Sequence, residues 1–354
     1  MEIEIQGRRV GLGHPTYFIA DIAANHDGDL KRAIELIRLA KQAGADAAKF
    51  QNFRAPKIVS DYGFKSLGGQ LSHQAKWKKS VFEVYEDASI PFEWTPTLKE
   101  ACDEFDIHYL SSPYDYEAID MLDPYVPAYK AGSSLISWPQ ATVRMAQFGK
   151  PIMIATGDSD IHDVTRVMEM VLPVNRQIVL MQCNTNYTAG EDNYDHLHVN
   201  VLKTFASLWP DVILGLSDHT QSPAPVVGAV ALGARVIERH FTDSNEREGP
   251  DHKFALNPGN WAHMVEEVRI LERALGSAEK SVAENEKETY IVQRHCLRAA
   301  RNIKAGEVFA EDMIEVLRPA TPGALMAWDL PYVVGKKAKA DLPFGKELRG
   351  EDLM

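Results

Sequence analysis

Short apolar or β-branched runs recur at fairly even intervals along about the first 240 residues, and each run ends in polar residues. Eight runs have this character: 17–22, 47–51, 108–112, 128–131, 151–155, 178–183, 212–217 and 234–241. Helical patterns lie between them; from Leu30, for example, apolar residues keep a period of about 3.6 residues until Gly44 ends it. Six further stretches show the same helical pattern: 98–105, 139–148, 161–171, 202–209, 224–233 and 261–275.

Eight strand–helix units within about 275 residues are what a (β/α)₈ TIM barrel requires. The main alternative is a doubly wound open sheet, which more often places a glycine-rich phosphate turn after its first strand. Residues 23–28, with the sequence AANHDG, do not form that turn. The pattern therefore predicts a parallel α/β barrel.

Three segments fall outside the barrel repeat. Residues 54–93 are too long for a simple barrel connection, and such a loop is usually a lid or a subunit contact. Residues 279–293 are rich in Glu and Lys, and we interpret them as a linker that follows a catalytic domain at 1–278; the charge pattern of 277–289 is typical of either a helix or a linker. From 294 to 354 the pattern changes to short β-type runs with Gly- and Pro-containing turns. We expect a compact β-rich domain of about 60 residues there.

Composition and charge restrict the class of protein further. With 38 Lys and Arg against 50 Asp and Glu, the net charge is −12, and there is no dense basic run, which argues against nucleic-acid binding. The start, Met-Glu-Ile-Glu, is acidic where signal peptides are basic, and the most apolar stretch, 223–234, is too short to cross a bilayer. We therefore expect a cytoplasmic protein with no membrane partner. The three cysteines show no CxxC spacing, which indicates neither a disulfide framework nor a thiolate zinc site.

Polar residues stand where the predicted strands end, which is where active sites gather in α/β barrels. The second strand provides Lys49 and Gln51 on one face, and the fourth provides Lys130. Two lysines, several hydroxyls and a glycine turn around one cavity suit an anionic substrate, with phosphate the natural candidate. The alternative is structural, because a buried lysine can be neutralised by a carboxylate such as Asp21 or Glu238.

Two histidines stand at the ends of the last two predicted strands. A lone histidine at a strand end is usually a structural residue, but His219 and His240 lie on neighbouring strands of a closed barrel and can converge. Two imidazole nitrogens, with the remaining positions left to water and substrate oxygens, suit an exchangeable Mn²⁺ or Mg²⁺ better than a closed zinc site. Asp218, beside His219, is either a partner of this site or a helix N-cap.

Five motifs, in a fixed order, carry a resemblance to a known family. They are IADIAANHDG at 19–28, GLSDHT at 215–220, ERHFTD at 238–243, GPD at 249–251 and LRP at 317–319. The chain resembles the sialic acid synthases, which condense phosphoenolpyruvate with an amino sugar, over nearly its whole length. The resemblance implies that His219 and His240 hold the metal. It also implies a domain-swapped homodimer, in which a C-terminal antifreeze-like SAF domain places Arg318 in trans at the other subunit's barrel.

The resemblance further implies the substrates and the residues that contact them. The expected phosphoenolpyruvate contacts are Lys49, Ser112, Lys130, Ser133, Ser217 and either Thr185 or Asn186. The expected contacts of the open-chain N-acyl-hexosamine, such as N-acetylmannosamine, are Asp21, Gln51, Tyr187, Glu238, Asp251 and Arg318. The expected catalytic residues are Asp21, Lys49, Lys130, Glu238 and Asp251. The expected products are a nine-carbon 2-keto-3-deoxy acid and phosphate.

Four departures from the family pattern leave the sugar open. Asp21 replaces a frequent Glu, Ala155 a frequent Ser, Thr188 the usual Pro and Ala320 the usual Gly. Because single methylenes or hydroxyls retune a pocket, three sugars stay candidates: N-acetylmannosamine, its 6-phosphate, and a diacetamido-trideoxyhexose leading to legionaminic or pseudaminic acid. A seven- or eight-carbon keto-acid synthase matches less well, because it needs no small domain. The charged residues at the strand ends argue against an ice-binding protein.

Overall fold

Eight parallel strands form a barrel in the N-terminal part of the molecule. The computed structural model describes residues 1–354 except the side chain of Lys76, and the chain divides into two units, Met1–Gly276 and Ser277–Met354. The strands are β1 (Glu2–Ile5), β2 (Arg8–Gly11), β3 (Tyr17–Asp21), β4 (Ala47–Asn52), β5 (His108–Pro113), β6 (Tyr129–Ala131), β7 (Ile152–Ala155), β8 (Ile178–Cys183), β9 (Ile213–Asp218), β10 (Ala234–His240), β11 (Cys296–Ala299) and β12 (Ile314–Leu317). The helices are α1 (Leu30–Gln42), α2 (Ala55–Ile58), α3 (Asp61–Ser66), α4 (Val81–Ala88), α5 (Trp94–Glu104), α6 (Tyr116–Leu122), α7 (Pro139–Ala146), α8 (Ile161–Val171), α9 (Asn193–His196), α10 (Val201–Leu208), α11 (Ala224–Ala231), α12 (Pro258–Leu275), α13 (Lys287–Val292) and α14 (Leu330–Val333).

The barrel strands follow the order β5-β4-β3-β10-β9-β8-β7-β6, and β5 and β6 at the two ends of this order lie side by side. Every hydrogen-bonded pair in this sheet is parallel. All eight strands predicted from the sequence are present, and each observed end falls within one residue of the predicted end. The predicted barrel is confirmed.

Side chains on the barrel strands alternate between the interior and the surrounding helices. On β3, Phe18 and Ala20 pack with the helices, whereas Tyr17 and Ile19 belong to a separate cluster inside the barrel. The interior cluster takes apolar residues from near the amino end of every strand. Because the side-chain period of a strand is two, the same faces carry the polar residues at the carboxyl ends. Asp21 thus follows Tyr17 and Ile19 on the inward face of β3.

An N-terminal hairpin closes the amino end of the barrel. β1 pairs antiparallel with β2, and Ile3, Ile5 and Val10 join the interior cluster while Glu2 and Glu4 are exposed. This hairpin was not predicted from the sequence. The strict Glu-Ile-Glu-Ile alternation was the available signal, since alternation of polar and apolar residues is typical of a half-buried strand.

The insertion at 54–93 and the connection after β5 are also more helical than predicted. The insertion contains α2, α3, α4 and a 3₁₀ turn at Ser72–Lys76. A capping box between Ser80 and Glu83 starts α4, and Asp115 caps α6 by accepting from the amide of Ala118. These helices were missed because they are short and their apolar periodicity is weak. None of the described helices is both long and apolar enough to span a membrane.

The C-terminal unit has little regular secondary structure of its own. β11 and β12 form a two-stranded antiparallel sheet, and most other pairing occurs as isolated bridges such as Ile303 with Leu342. Its core is a small apolar cluster that includes Leu297, Phe309 and Leu348. The predicted β-type runs therefore fold mainly into bridges and turns around this cluster. The segment 279–293, interpreted above as a linker, contains α13 and groups with this unit.

Candidate active site

Polar side chains replace the apolar interior residues at the carboxyl ends of the barrel strands. The strand register sets Asp21 of β3 beside Lys49 of β4, and Ser217 of β9 beside Glu238 of β10. Lys49 and Lys130 are 1% and 2% exposed, so both ammonium groups lie in the barrel interior. The buried residues of this polar layer are Asp21, Lys49, Ser112, Lys130, Ser217 and Glu238.

Two lysines and two carboxylates form a cluster of balanced charge. Lys49 Nζ lies 2.7 Å from Asp21 Oδ2 and 3.9 Å from Glu238 Oε2. Lys130 Nζ lies 3.3 Å from Glu238 Oε1, which also accepts a hydrogen bond from Ser217 Oγ at 3.1 Å. The carboxylate pairing considered from the sequence is therefore present. Glu238 Oε2 is buried without a hydrogen-bond partner in the described structure.

Burial and charge act against each other on this cluster. Burial raises the pKa of Asp21, although Lys49 opposes the shift. Burial would also raise the pKa of Glu238, but Lys130 and Lys49 outweigh it and lower that pKa to about 2. For Lys49, the attraction of Asp21 and Glu238 outweighs burial and holds the pKa of the ammonium above its usual value. Lys49 and Glu238 are therefore both charged at neutral pH.

The two predicted histidines converge, with ring centroids 5.3 Å apart. His219 Nδ1 lies 2.7 Å from the carbonyl oxygen of Asn184. Since a carbonyl oxygen only accepts, Nδ1 carries the proton and Nε2 is unprotonated. His240 Nδ1 is buried and has no hydrogen-bond partner in the described structure. Burial lowers the pKa of His219 to about 4 and that of His240 to about 3, so both rings are neutral at pH 7.

These two rings fit a divalent cation. Neutral imidazole is the form that ligates a metal. Nδ1 of His240 is a nitrogen that can ligate a metal and that has no hydrogen-bond partner in the described structure. Among the described residues, no three His, Cys, Asp or Glu side chains stand together at metal-binding spacing. A cation held by His219 and His240 would take its other ligands from water or substrate oxygens, which suits Mn²⁺ or Mg²⁺.

The outer faces of β9 and β10 fix the strands that carry the histidines. Asp218 and Arg239 are register partners, and Arg239 Nε lies 3.4 Å from Asp218 Oδ2 with both side chains buried. Asp218 also accepts from the amide and the hydroxyl of Thr220, each at 3.0 Å. The next helix, α11, begins at Ala224 and has Pro223 as its N-cap. The helix N-cap interpretation of Asp218 is therefore wrong.

The loop after β10 brings Asp251 beside His240. Asp251 Oδ2 accepts a hydrogen bond from the amide of Ala24 at 3.2 Å and lies 3.9 Å from His240 Nδ1. Burial raises the pKa of this carboxyl to about 7. Phe254, in the same loop, places its ring centroid 4.8 Å from that of His240. Phe254 was not among the site residues predicted from the sequence.

A cavity of about 420 Å³ opens beside His240 and Asp251. Its lining includes Gln51, Ser133, Thr185, Tyr187, His240 and Asp251. The Tyr187 ring also packs against that of His219, with the two ring centroids 4.4 Å apart. The remaining wall comes largely from the insertion and contains Ile58, Val59, Phe64, His73, Trp77, Val84 and Tyr85. The length of the insertion indicated a lid or a subunit contact; its side chains do line the cavity, but none of them was predicted as a site residue.

Ser133, Thr185 and Asn186 lie beyond the lysine cluster. The Ser133 hydroxyl accepts from the amide of Gly157 at 3.0 Å. A Cβ on Gly157 would lie 2.4 Å from Thr185 Cγ2 and 2.9 Å from Ser133 Oγ, so this close approach requires glycine. Thr185 lines both this cavity and a second one of about 680 Å³, whereas Asn186 lines the second. Of the two residues left open by the sequence, Thr185 is the one that lines the same cavity as Gln51 and Asp251.

Arg318 lies in the C-terminal unit. Its side chain is exposed, and its guanidinium donates a hydrogen bond to the side chain of Gln293. The expected contact of Arg318 with the barrel of a second subunit stays a prediction, and so does the homodimer.

Comparisons with known proteins agree with this fold and these motifs. Residues 36–280 match the NeuB family and residues 294–354 match the SAF domain. N-acetylneuraminate-9-phosphate synthase of Homo sapiens is 32% identical over 95% of this chain and 92% of its own length. Pseudaminic acid synthase of Campylobacter jejuni is 33% identical over 95% of this chain and 96% of its own. The crystal structure of the spore coat polysaccharide biosynthesis protein SpsE from Bacillus subtilis covers 100% of this chain and 99% of its own, with 29% identity and a TM-score of 0.66. Because family models match both units and synthases align over nearly the full length, the chain belongs to the NeuB family and is an enzyme of the sialic acid synthase type.

Proposed function

We propose that this enzyme condenses phosphoenolpyruvate with an open-chain N-acyl-hexosamine and water, giving a nine-carbon 2-keto-3-deoxy acid and inorganic phosphate. The observation that carries the proposal is the convergence of two lysines and two histidines at one end of the barrel. Asp21 Oδ2 joins the two sets, because it lies 2.7 Å from Lys49 Nζ and 3.6 Å from His240 Nε2. The cations suit an anionic substrate, and the imidazoles suit a metal.

Phosphoenolpyruvate carries a phosphate and a carboxylate, and both need positive partners when water is excluded. Lys49 and Lys130 are the buried cations of this cluster. Hydroxyl groups stand beside them, since Lys49 Nζ lies 3.4 Å from Ser112 Oγ, and Ser217 Oγ contacts the same Glu238 oxygen as Lys130. Ser133 and Thr185 extend the polar surface toward the next strands.

His219 and His240 are the proposed ligands of a divalent cation, Mn²⁺ or Mg²⁺. Such a cation, when bound, polarises the aldehyde oxygen of the sugar and stabilises the negative charge that develops there. Asp21 Oδ2 and Asp251 Oδ2 lie 3.6 Å from Nε2 and 3.9 Å from Nδ1 of His240, so negative charge stands near the proposed cation, but neither carboxylate is within hydrogen-bond distance of the ring.

In the proposed reaction, C3 of phosphoenolpyruvate bonds to the aldehyde carbon, water adds to C2, and the tetrahedral intermediate releases phosphate. Lys49 and Lys130 neutralise the phosphate and carboxylate charges of phosphoenolpyruvate and orient its C3 toward the sugar. The buried Oε2 of Glu238, which lacks a hydrogen-bond partner in the described structure, accepts a hydrogen bond from the attacking water. Gln51, Tyr187 and Asp251 contact the sugar.

Of the three candidate sugars, the lining of the cavity bears on the choice between N-acetylmannosamine and a diacetamido-trideoxyhexose. N-acetylmannosamine presents a hydroxyl at C6, whereas a diacetamido-trideoxyhexose presents a methyl group there and a second acyl methyl. The wall formed by Ile58, Val59 and Phe64 offers apolar contact to such methyl groups. This apolar contact supports a diacetamido-trideoxyhexose, the precursor of legionaminic or pseudaminic acid, as the alternative to N-acetylmannosamine.

The test is release of phosphate from phosphoenolpyruvate with Mn²⁺ and a panel of amino sugars: N-acetylmannosamine, its 6-phosphate and diacetamido-trideoxyhexoses. The proposal predicts phosphate release only when phosphoenolpyruvate, cation and an accepted sugar are present together, and loss of release with a chelator. The sugar with the highest kcat/KM identifies the substrate. Release without any sugar, or none with any sugar and cation tried, would contradict the proposal.

A further inference from the structure

One histidine outside the proposed metal pair has both ring nitrogens engaged by side chains. His252 is fully buried, and it follows Asp251 directly in the loop after β10. Its Nε2 lies 2.9 Å from Asp27 Oδ1, and its Nδ1 lies 2.8 Å from Thr242 Oγ1. Because the Asp27 carboxylate accepts, Nε2 donates to it, and Nδ1 accepts from the Thr242 hydroxyl. The ring therefore links two places in the fold: the turn after β3 and the start of its own loop.

A second set of contacts ties the same turn to the same loop. Arg32, on α1, donates to both carboxylate oxygens of Asp243, at 2.9 Å and 2.7 Å, and also to the carbonyl oxygen of Asn25 at 2.8 Å. The Asn25 side chain donates to the carbonyl oxygen of Phe241 at 2.9 Å. These bonds hold the beginning of the loop, whereas His252 holds its far side. The two sets meet at Asp27, whose Oδ2 lies 3.0 Å from Arg32 Nε.

The space for the His252 ring is created by a glycine. A Cβ on Gly249 would lie 2.6 Å from His252 Cδ2 and 3.0 Å from Nε2, closer than van der Waals contact allows. Asp27, which receives the ring, has a φ of 53°, and Gly28 beside it has a φ of 72°. The turn after β3 thus adopts a left-handed backbone at the residue that binds His252.

The residue held between these attachments is Asp251. It lies in a loop and not on a strand, so no sheet register fixes its position. Its carboxylate accepts from the amide of Ala24 in the same turn and faces His240 at 3.9 Å. Asp251 and Pro250 both line the cavity. A small shift of the loop therefore moves the carboxylate relative to the cavity.

We infer that Asp27 and His252 form a positioning pair that holds Asp251 against the sugar end of the cavity. The pair acts through Asp251 and touches no substrate itself. The inference rests on the proposed function for the role of Asp251 as a sugar contact. It assigns the pair to sugar recognition and not to phosphoenolpyruvate, because Lys49 and Lys130 are fixed by strands.

The kinetic test compares Asp27→Ala with the conservative Asp27→Asn, whose amide oxygen still accepts from Nε2. For Asp27→Ala we expect KM for the sugar to rise at least about tenfold while KM for phosphoenolpyruvate changes less than about twofold. Asp27→Asn should recover most of the loss. Gly249→Ala perturbs the ring without removing either partner and should give the same pattern. Tyr17→Phe is the control, because it removes a histidine hydrogen bond of 2.7 Å at the amino end of the barrel.

A second readout does not depend on activity. Hydrogen–deuterium exchange of residues 242–256 should speed up in Asp27→Ala and Gly249→Ala but not in Tyr17→Phe, although Asp27 is distant in sequence from this loop. Unchanged exchange of the loop would overturn the positioning pair even if the enzyme is active. Equal changes in both KM values would overturn its assignment to the sugar. If the wild-type enzyme accepted no amino sugar, the exchange result would still decide whether the pair holds the loop.

Discussion

Asp21 is the site residue at which the resemblance described above implies a frequent Glu. Its Oδ1 accepts from the amide of Ala23 at 3.1 Å, and its Oδ2 contacts Lys49 and accepts from Gln51 at 3.3 Å. Both carboxylate oxygens are thus engaged by the protein, and Asp21 itself is only 2% exposed. The shorter side chain fits a role in fixing Lys49 and Gln51, and a glutamate here would have to displace one of these contacts.

The histidine pair gives the first prediction. His240→Ala should abolish product formation while leaving the melting profile without metal nearly unchanged. Wild-type protein should gain about 2.7 kcal/mol of stability at a Mn²⁺ concentration 100 times its Kd, and the variant should lose this gain. Thermal melts with and without Mn²⁺ measure both effects. His162→Ala, at an exposed position on α8, is the control. A folded His240→Ala variant with full turnover would refute the metal assignment.

The second prediction concerns the buried cations. Lys130→Gln removes an ammonium 3.3 Å from Glu238 and should lower kcat/KM for phosphoenolpyruvate at least about 100-fold, because a preorganised charge in a dry site is lost. Lys65→Gln, at a side chain that is 68% exposed, should leave the value unchanged. Steady-state kinetics on variants shown to be folded by circular dichroism provide the comparison. A near-normal value for Lys130→Gln would remove this lysine from the substrate site.

At the scale of elements, the strands were predictable and the insertion was not. The buried strands form continuous apolar runs, and the polar residues at their ends, such as Lys49 and His240, follow the period of two. This periodicity is local, so it can be read directly from the sequence. The wall residues Trp77 and Tyr85 reach the cavity through the tertiary packing of short helices. No local pattern specifies that packing, and the same holds for the pairing of Asp218 with Arg239.

The amino end of the barrel gives a prediction on pH. Burial lowers the pKa of His108 to about 4, and its Nδ1 lies 2.7 Å from the Tyr17 hydroxyl. The unfolded chain binds a proton at this residue below about pH 6.5 while the folded chain does not. The buried neutral ring of His108 therefore costs no unfolding free energy above pH 6.5. As the pH falls from 6.5 toward 4, protonation favours the unfolded chain, and the unfolding free energy falls. In His108→Asn the slope of the unfolding free energy against pH should be smaller, by an amount that corresponds to at most one proton taken up on unfolding. Urea titrations at pH 5 and pH 7 measure it; an unchanged slope would contradict this assignment.

At the scale of the whole molecule, the expected homodimer requires the SAF domain to complete a second subunit's site. Arg318→Ala and His240→Ala should each be inactive alone. If Arg318 acts in trans, mixing and exchanging the two variants should restore about a quarter of wild-type activity, because half of the dimers are mixed and each has one intact site. Subunit exchange followed by an activity assay tests this. No recovery, with exchange verified by mass, would contradict action in trans.

The central claim is that the barrel joins phosphoenolpyruvate to an amino sugar with water adding at C2. The most direct measurement is the mass of the phosphate and of the keto acid formed in H₂¹⁸O from phosphoenolpyruvate, Mn²⁺ and the accepted sugar. The account predicts a nine-carbon acid together with phosphate that contains no ¹⁸O, because the bond from C2 to oxygen breaks. Phosphate carrying one ¹⁸O, released whether or not the sugar is present, would show simple hydrolysis and contradict it.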